Sequence, residues 1–191
     1  MDNHVNHQQN TDKAIFGFWI YLMTDLVMFA ALFATFAVLR NNTFGGLSGR
    51  ELFNLPNVLA ETLMLLASSF TAGLGILAAY RNDKNQVIFW FVITFLLGAA
   101  FLAMELTEFR QLVNEGNSWQ RSGFLSSFFT LVGTHGLHIT AGLVWMGLLL
   151  IKVTLSGLTS QITRKLTLLS LFWHFLDIVW IFIFTFVYLM A

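Results

Sequence analysis

The sequence predicts an all-α integral membrane protein folded as one bundle of five transmembrane helices. Three observations carry that expectation. Hydrophobic residues make up 57% of the 191 and charged residues only 10%, where a soluble domain carries roughly 25% charged. The mean hydropathy is +0.71. The apolar residues gather in five runs, each near or above the roughly 20 residues that a helix needs to cross the hydrocarbon of a bilayer. None of the runs alternates with the period of two that marks a membrane barrel strand. The same composition excludes other classes. Ten Lys plus Arg balance ten Asp plus Glu, which leaves no basic excess for nucleic acid. Cysteine is absent, so disulfide frameworks, thiolate zinc sites, iron–sulfur clusters and cysteine nucleophiles are excluded.

The elements follow in chain order. Residues 1–14 form a polar tail containing Asp2, Asp12 and Lys13. It lacks the basic start and short apolar core of a cleaved signal, so the first span, Ile15–Leu39, reads as retained. Residues 40–56 are polar and Gly-containing, and they end on Pro56, the only proline. That residue opens the second helix, 57–80, where a missing N–H does no harm. The third helix, 86–109, follows after only Arg81-Asn82-Asp83-Lys84-Asn85, so the second and third must be antiparallel neighbours. The fourth and fifth occupy 123–151 and 166–190, with links at 110–122 and 152–165. The spans leave no room for a separate soluble domain, and residues 15–191 read as a single transmembrane unit.

Orientation follows from the basic residues flanking the spans. Lys13, Arg81, Lys84, Lys152, Arg164 and Lys165 fall on one side, six in all, and Arg40, Arg50, Arg110 and Arg121 on the other, four in all. The bias points to a cytoplasmic N-terminus and an external C-terminus.

Half of the acidic residues lie inside the spans: Asp25, Glu61, Glu105, Glu108 and Asp177. His135, His138 and His174 lie there too, whereas no Lys or Arg lies deep in any span. An acidic side chain at the bilayer centre costs about 2.5–3.5 kcal/mol. These groups must therefore lie near an interface, face protein, or be protonated. Glu61, Glu105 and Glu108 fall toward the outer end of their helices; the other five are deeper and need partners. Glu105/Glu108, His135/His138 and His174/Asp177 are each three positions apart, so each pair shares a helix face.

Three roles suit such pairs. A metal centre would be satisfied by ligand type, but the glutamates lie near the outer end and His174 on the inner half of its helix. A proton or ion path could be built on Asp25, Glu61 and Asp177. Interhelical hydrogen bonding to Ser, Thr or Asp of the next helix is the commonest fate of such residues. The first two leave a stand-alone membrane metalloenzyme and a small proton or ion carrier as rival functions. Gly73, Gly75, Gly98, Gly133, Gly136 and Gly142 would allow close helix approach. Trp19, Trp90, Tyr80 and Tyr188 suit an interfacial belt, and Trp145, Trp173 and Trp180 lie deeper. No phosphate-cradling loop, nucleophile elbow or metalloprotease motif is present.

Two long segments are more specific. Residues 127–145 read Ser-Phe-Phe-Thr-Leu-Val-Gly-Thr-His-Gly-Leu-His-Ile-Thr-Ala-Gly-Leu-Val-Trp, and residues 171–185 read Leu-Phe-Trp-His-Phe-Leu-Asp-Ile-Val-Trp-Ile-Phe-Ile-Phe-Thr. Both resemble the signature helices of the haem-copper oxidase subunit 3 family. The stretches Phe16-Gly-Phe-Trp-Ile-Tyr-Leu-Met-Thr-Asp25 and Leu59-Ala-Glu-Thr-Leu-Met-Leu-Leu-Ala-Ser68 are similar to its cytochrome o ubiquinol oxidase branch, as is the helix count of five rather than seven. The resemblance runs from residue 14 to the end.

It implies a cytochrome c oxidase subunit III-like fold and a non-catalytic chain with no cofactor or metal of its own. Haem and copper would belong to subunit 1, with subunit 2 and a small subunit 4 as further partners. Phospholipid would be bound, and ubiquinol would be the substrate of the complex. That complex would be the proton-pumping terminal oxidase of an aerobic respiratory chain in a bacterial inner membrane. Under the resemblance, Asp25, Glu61, Glu105, Glu108, His135, His138, His174 and Asp177 become structural, proton-related or lipid-related groups rather than catalysts.

Overall fold

The computed structural model describes residues 2–40, 42, 55–116, 120 and 122–189, with the backbone alone for 2–12 and 14. Five helices dominate: α1 Asp2–Leu39, α2 Leu55–Tyr80, α3 Lys84–Asn114, α4 Gly123–Ser156 and α5 Ser160–Ile183, the last continued by a π-helical segment, Phe184–Leu189. No strand occurs among the described residues. Arg50 and Arg121, two of the four bases counted on the outer side, lie outside the described residues.

Each helix boundary has a local cause. Pro56 sits in the first turn of α2, where no intrahelical bond is lost. The α2–α3 turn needs only residues 81–83, because Asn82 takes a left-handed φ of 57°. Asp83 then caps α3, its side chain accepting from the backbone N–H of Asn85 and Gln86 at 3.2 Å each. Ser122 caps α4 through the N–H of Leu125 at 3.2 Å, and Thr159 caps α5 through that of Ile162 at 3.4 Å. Such side-chain acceptors satisfy N–H groups that the first helical turn leaves unpaired.

All five helices outrun their expected apolar spans, α1 starting at Asp2 within the stretch read as a polar tail. The α4–α5 connection shrinks from the expected 152–165 to residues 157–159, with Gly157 at φ 73°. Hydropathy detects the hydrocarbon-embedded part of a helix, not its whole length. The 34 residues of α4 span about 50 Å at 1.5 Å per residue, well beyond the roughly 30 Å of apolar membrane. Lys152, Thr154 and Ser156 therefore continue the helix into the polar zone with their backbone groups still paired. There Lys84 Nζ donates to the Thr154 carbonyl at 2.9 Å, tying the α2–α3 turn to the C-terminal end of α4.

Helices α2, α3, α4 and α5 form a ring in which each touches the next and α5 closes on α2. The α2–α3 seam is the most extensive, and α1 lies outside the ring against α4 and, less extensively, α5. Phe91, Phe101, Phe128, Leu131, Ile139, Met146, Leu176 and Ile183 are fully enclosed at the centre. Phe16, Val27, Phe70, Leu96, Leu137 and Leu155 are exposed, as befits side chains whose solvent is lipid.

Trp173 and Trp180 are buried to 1% and 0%, so they belong to the helix interface rather than to lipid. Trp173 shows how the glycines are used. A Cβ on Gly98 would meet its ring at 2.7 Å, and one on Gly142 would meet it at 3.0 Å. Gly75 receives Phe91 in the same way, at 2.8 Å. The expected close approach is thus a side chain seated against a helix backbone. Among the described residues, Gly73 has nothing within 4 Å of that position and Gly133 only Phe109 at 3.7 Å, so neither marks a tight contact there.

Candidate functional site

The bundle does not bring the three i, i+3 pairs to one centre, and it parts His135 from His138. Four separate polar sites result.

The first joins the start of α2, the later part of α3 and the end of α5. Glu61 is 2% exposed and lines a pocket of about 140 Å³ with Asn57, Thr107, Glu108, Gln111 and Glu115. The π-helical end of α5 carries Tyr188 inward, and its hydroxyl donates to Glu108 Oε2 at 3.2 Å. Glu105, three residues before Glu108, turns instead onto the backbone of α4. A Cβ at Gly136 would lie 2.9 Å from Glu105 Oε1, so the glycine makes the seat for the carboxyl. Glu61 Oε2 and Glu105 Oε2 are buried without a hydrogen-bond partner among the described residues.

His135 occupies the centre. It is 0% exposed, stacked on Trp180 with ring centroids 5.3 Å apart, and flanked by the edges of Phe101 at 6.2 Å and Phe29 at 6.3 Å. Neither ring nitrogen has a hydrogen-bond partner among the described residues. It is held as an aromatic ring among aromatic rings.

His138, one turn on, faces α1. Its Nδ1 donates to the Thr134 carbonyl at 2.7 Å. A carbonyl can only accept, so this bond sets the ring's orientation and turns Nε2 outward. Nε2 lies 3.7 Å from Asp25 Oδ2, an ion-pair separation too long for a hydrogen bond. Phe29 packs beside it with centroids 5.3 Å apart.

The fourth site opens laterally between α2 and α5. His174 and Asp177 line it with Leu66, Ser69, Phe70, Gly73 and Leu74. His174 Nδ1 donates to the Ser170 carbonyl at 2.7 Å, and Asp177 Oδ1 is buried without a hydrogen-bond partner among the described residues.

The hydrogen bonds of His138 and His174 thus run to their own helices, where interhelical bonds were expected. Besides the Tyr188–Glu108 bond, polar ties between helices are made by residues outside these pairs. Trp173 Nε1 donates to Ser68 Oγ at 2.9 Å, and Trp180 Nε1 to Thr62 Oγ1 at 3.1 Å, both from α5 to α2. Ser68 Oγ donates on to the Thr94 carbonyl of α3 at 3.3 Å, and the Thr71 and Thr94 hydroxyls lie 2.8 Å apart. The signal was present in the sequence: indole donors seven residues apart on one helix and hydroxyls six apart on another. Most Ser and Thr of membrane helices bond their own backbone, as Thr35, Thr130 and Thr134 do here. That hides which of them reach across.

Among the described residues, no three of His, Asp, Glu or Cys converge closely enough to hold a metal ion. Asp25, Glu61 and Asp177, the residues of the carrier reading, line three different faces of the bundle.

The family model described as cytochrome c oxidase subunit III matches residues 2–191. The chain belongs to the cytochrome c oxidase subunit III family. Its curated relatives include the cytochrome bo(3) ubiquinol oxidase subunit 3 of Pseudomonas aeruginosa, 55% identical over 99% of this chain and 90% of the relative. The quinol oxidase subunit 3 of Bacillus subtilis is 47% identical over 98% and 92%, respectively. The cytochrome c oxidase subunit 3 of Bacillus sp. strain PS3 is also 47% identical, over 92% and 84%. Family membership makes this a membrane chain of the haem-copper oxidases, and its five-helix bundle is the fold of a subunit rather than of a stand-alone enzyme. One relative named for quinol and one named for cytochrome c thus stand at the same 47% identity.

Proposed function

We propose that this chain is the non-catalytic third subunit of a proton-pumping cytochrome o ubiquinol oxidase, the terminal oxidase of an aerobic respiratory chain. The observation that carries the reading is the 55% identity, along 99% of the chain, to a relative named as subunit 3 of such an enzyme. The complex oxidises ubiquinol and reduces oxygen to water, with its haems and copper in subunit 1. Subunit 2 and a small subunit 4 complete it, and phospholipid fills its apolar grooves. The setting is a bacterial inner membrane. The N-terminus is cytoplasmic and the C-terminus periplasmic, in keeping with six Lys and Arg against four across the connections.

The chain's contribution is mechanical and electrostatic. Trp173 and Trp180 lock α5 to α2, Glu105 seats α3 on α4, and His138 with Asp25 holds α1 to α4. The ring can then present a fixed surface to subunit 1. The same eight intramembrane residues are structural or proton-related or lipid-related groups, and none is catalytic.

Affinity purification of the tagged chain from its native membranes tests the assignment. Recovery with a haem protein that consumes oxygen on ubiquinol supports it. Isolation without any haem protein contradicts it. A reporter fused after Ala191 tests the orientation, and cytoplasmic activity of that reporter would overturn it.

A further inference from the structure

We propose that Glu61, Glu105 and Glu108 form a proton-storing cluster. Glu61 and Glu105 are held as carboxylic acids, and their protons exchange with water by way of Glu108 and the pocket beside it. The cluster belongs to this chain alone, whatever complex the chain joins.

Donors are short there. Glu61 and Glu105 are each 2% exposed, and the Oε2 of each is sealed from solvent with no hydrogen-bond partner among the described residues. Three donors beside them are committed elsewhere. Trp180 Nε1 donates to Thr62 Oγ1, Thr107 Oγ1 to the Met104 carbonyl at 2.7 Å, and Gln111 Nε2 to Glu115 Oε1 at 3.0 Å. Tyr188 brings a hydroxyl in, and it serves Glu108. No cation balances the cluster either. Among the described residues the only ion pair is that of His138 with Asp25. Arg110 lines a different groove, with Phe109 and Phe129. His135 precedes the glycine under Glu105, but neither of its ring nitrogens bonds a carboxyl.

The three carboxyls lie close enough for their charges to act on one another. Three uncompensated charges in a membrane-embedded site would repel and lack solvation. A sealed oxygen admits neither a water nor a metal ion, so a proton is the one ligand small enough to relieve it. Exposure then grades the cluster. Gln111 and Glu115 are exposed at a pocket of about 140 Å³, Glu108 is half-buried on its wall, and Glu61 is buried behind it. A polar cavity of that size holds water, and a carboxylate between water and buried acids can pass protons. The π-helical turn Phe184–Leu189 that carries Tyr188 inward completes the arrangement, and turns of this kind recur at functional sites.

Infrared spectroscopy of the full-length chain in lipid bilayers tests the store. Isotopic labelling of the glutamate carboxyl carbons separates them from Asp25 and Asp177. At neutral pH a carboxylic-acid carbonyl band should respond to the label and shift on transfer to heavy water. Glu61→Gln and Glu105→Gln should each remove part of it, while Glu115→Gln, at an exposed carboxyl, should leave it whole. Thr107→Phe, which fills the pocket, should delay the heavy-water shift without removing the band. Absence of a labelled acid band, or its survival at full intensity in both Gln variants, would show the glutamates ionised and overturn the store. A band that never shifts in heavy water would also overturn it, because the acids would then be sealed and structural. A shift as fast in Thr107→Phe as in the unsubstituted chain would contradict the pocket as the route. Where a Gln variant fails to fold, the labelled band of the unsubstituted chain and its heavy-water shift still decide.

Discussion

The indole Nε1 of Trp173 donates to the hydroxyl of Ser68 at 2.9 Å across 105 residues of sequence. The same ring is pressed against the backbone of α3 at Gly98 and of α4 at Gly142. One side chain of α5 therefore contacts the other three helices of the ring. Trp173→Ala should cost about 3–5 kcal/mol, as large-to-small changes of buried aromatics do. Ser68→Ala removes only the hydroxyl, which accepts from Trp173 and donates to the Thr94 carbonyl, and should cost about 0.5–2 kcal/mol. Unfolding of the purified chain in mixed detergent and SDS micelles, followed by tryptophan fluorescence or helicity, measures both. Equal costs would show that the bond rather than the packing carries the contact.

Two glycines of the ring should respond oppositely to the same substitution. Gly98→Ala places a methyl group 2.7 Å from the Trp173 ring, and overpacking of that kind costs about 1–3 kcal/mol. Gly73→Ala meets nothing within 4 Å among the described residues and replaces a flexible helical residue, so the isolated chain should be unchanged or more stable by up to about 1 kcal/mol. The same SDS titration decides. A destabilised Gly73→Ala chain would mean that its backbone is closer to a neighbour than described.

Asp25 and His138 join α1 to α4 at 3.7 Å, on the seam that carries most of α1's contact with the ring. Asp25→Ala and His138→Ala should each destabilise the attachment of α1. Their double substitution should cost less than the sum by about 0.5–2 kcal/mol, the signature of a direct interaction. Strict additivity would assign the two residues independent roles.

Tyr188 closes the cluster of Glu61, Glu105 and Glu108 by donating to Glu108 at 3.2 Å. Tyr188→Phe keeps the ring against Phe128 and Trp180 and removes only the donor. About 1–3 kcal/mol should be lost, because the carboxyl loses that donor. In a Glu108→Gln background the same change should cost less, since a neutral acceptor makes the weaker bond. An identical cost in both backgrounds would place the hydroxyl's main partner elsewhere.

The fold class and the number of spans were legible because a spanning helix needs a long apolar run that nothing else in a 191-residue chain imitates. The helix ends were less so. Lys152, Thr154 and Ser156 look like a link by hydropathy but are helical, since a helix can leave the hydrocarbon without losing its hydrogen bonds. The polar pairs were legible as pairs, because three-residue spacing puts Glu105 with Glu108 and His174 with Asp177 on one face. Where each face points was not. That depends on helix rotation, which is set by seats such as Gly98 under Trp173 and Gly136 under Glu105. Those contacts join residues of different helices, and no spacing along one helix encodes them.

The central claim is that the chain supports an oxidase without holding a redox centre. The direct measurement removes this chain from the purified complex under mild detergent and assays haem, copper and iron in both fractions. The account predicts that all of the haem and metal stays with the remaining subunits, and that the separated chain carries none while keeping its helical content. Stoichiometric haem, iron or copper in the separated chain would contradict it.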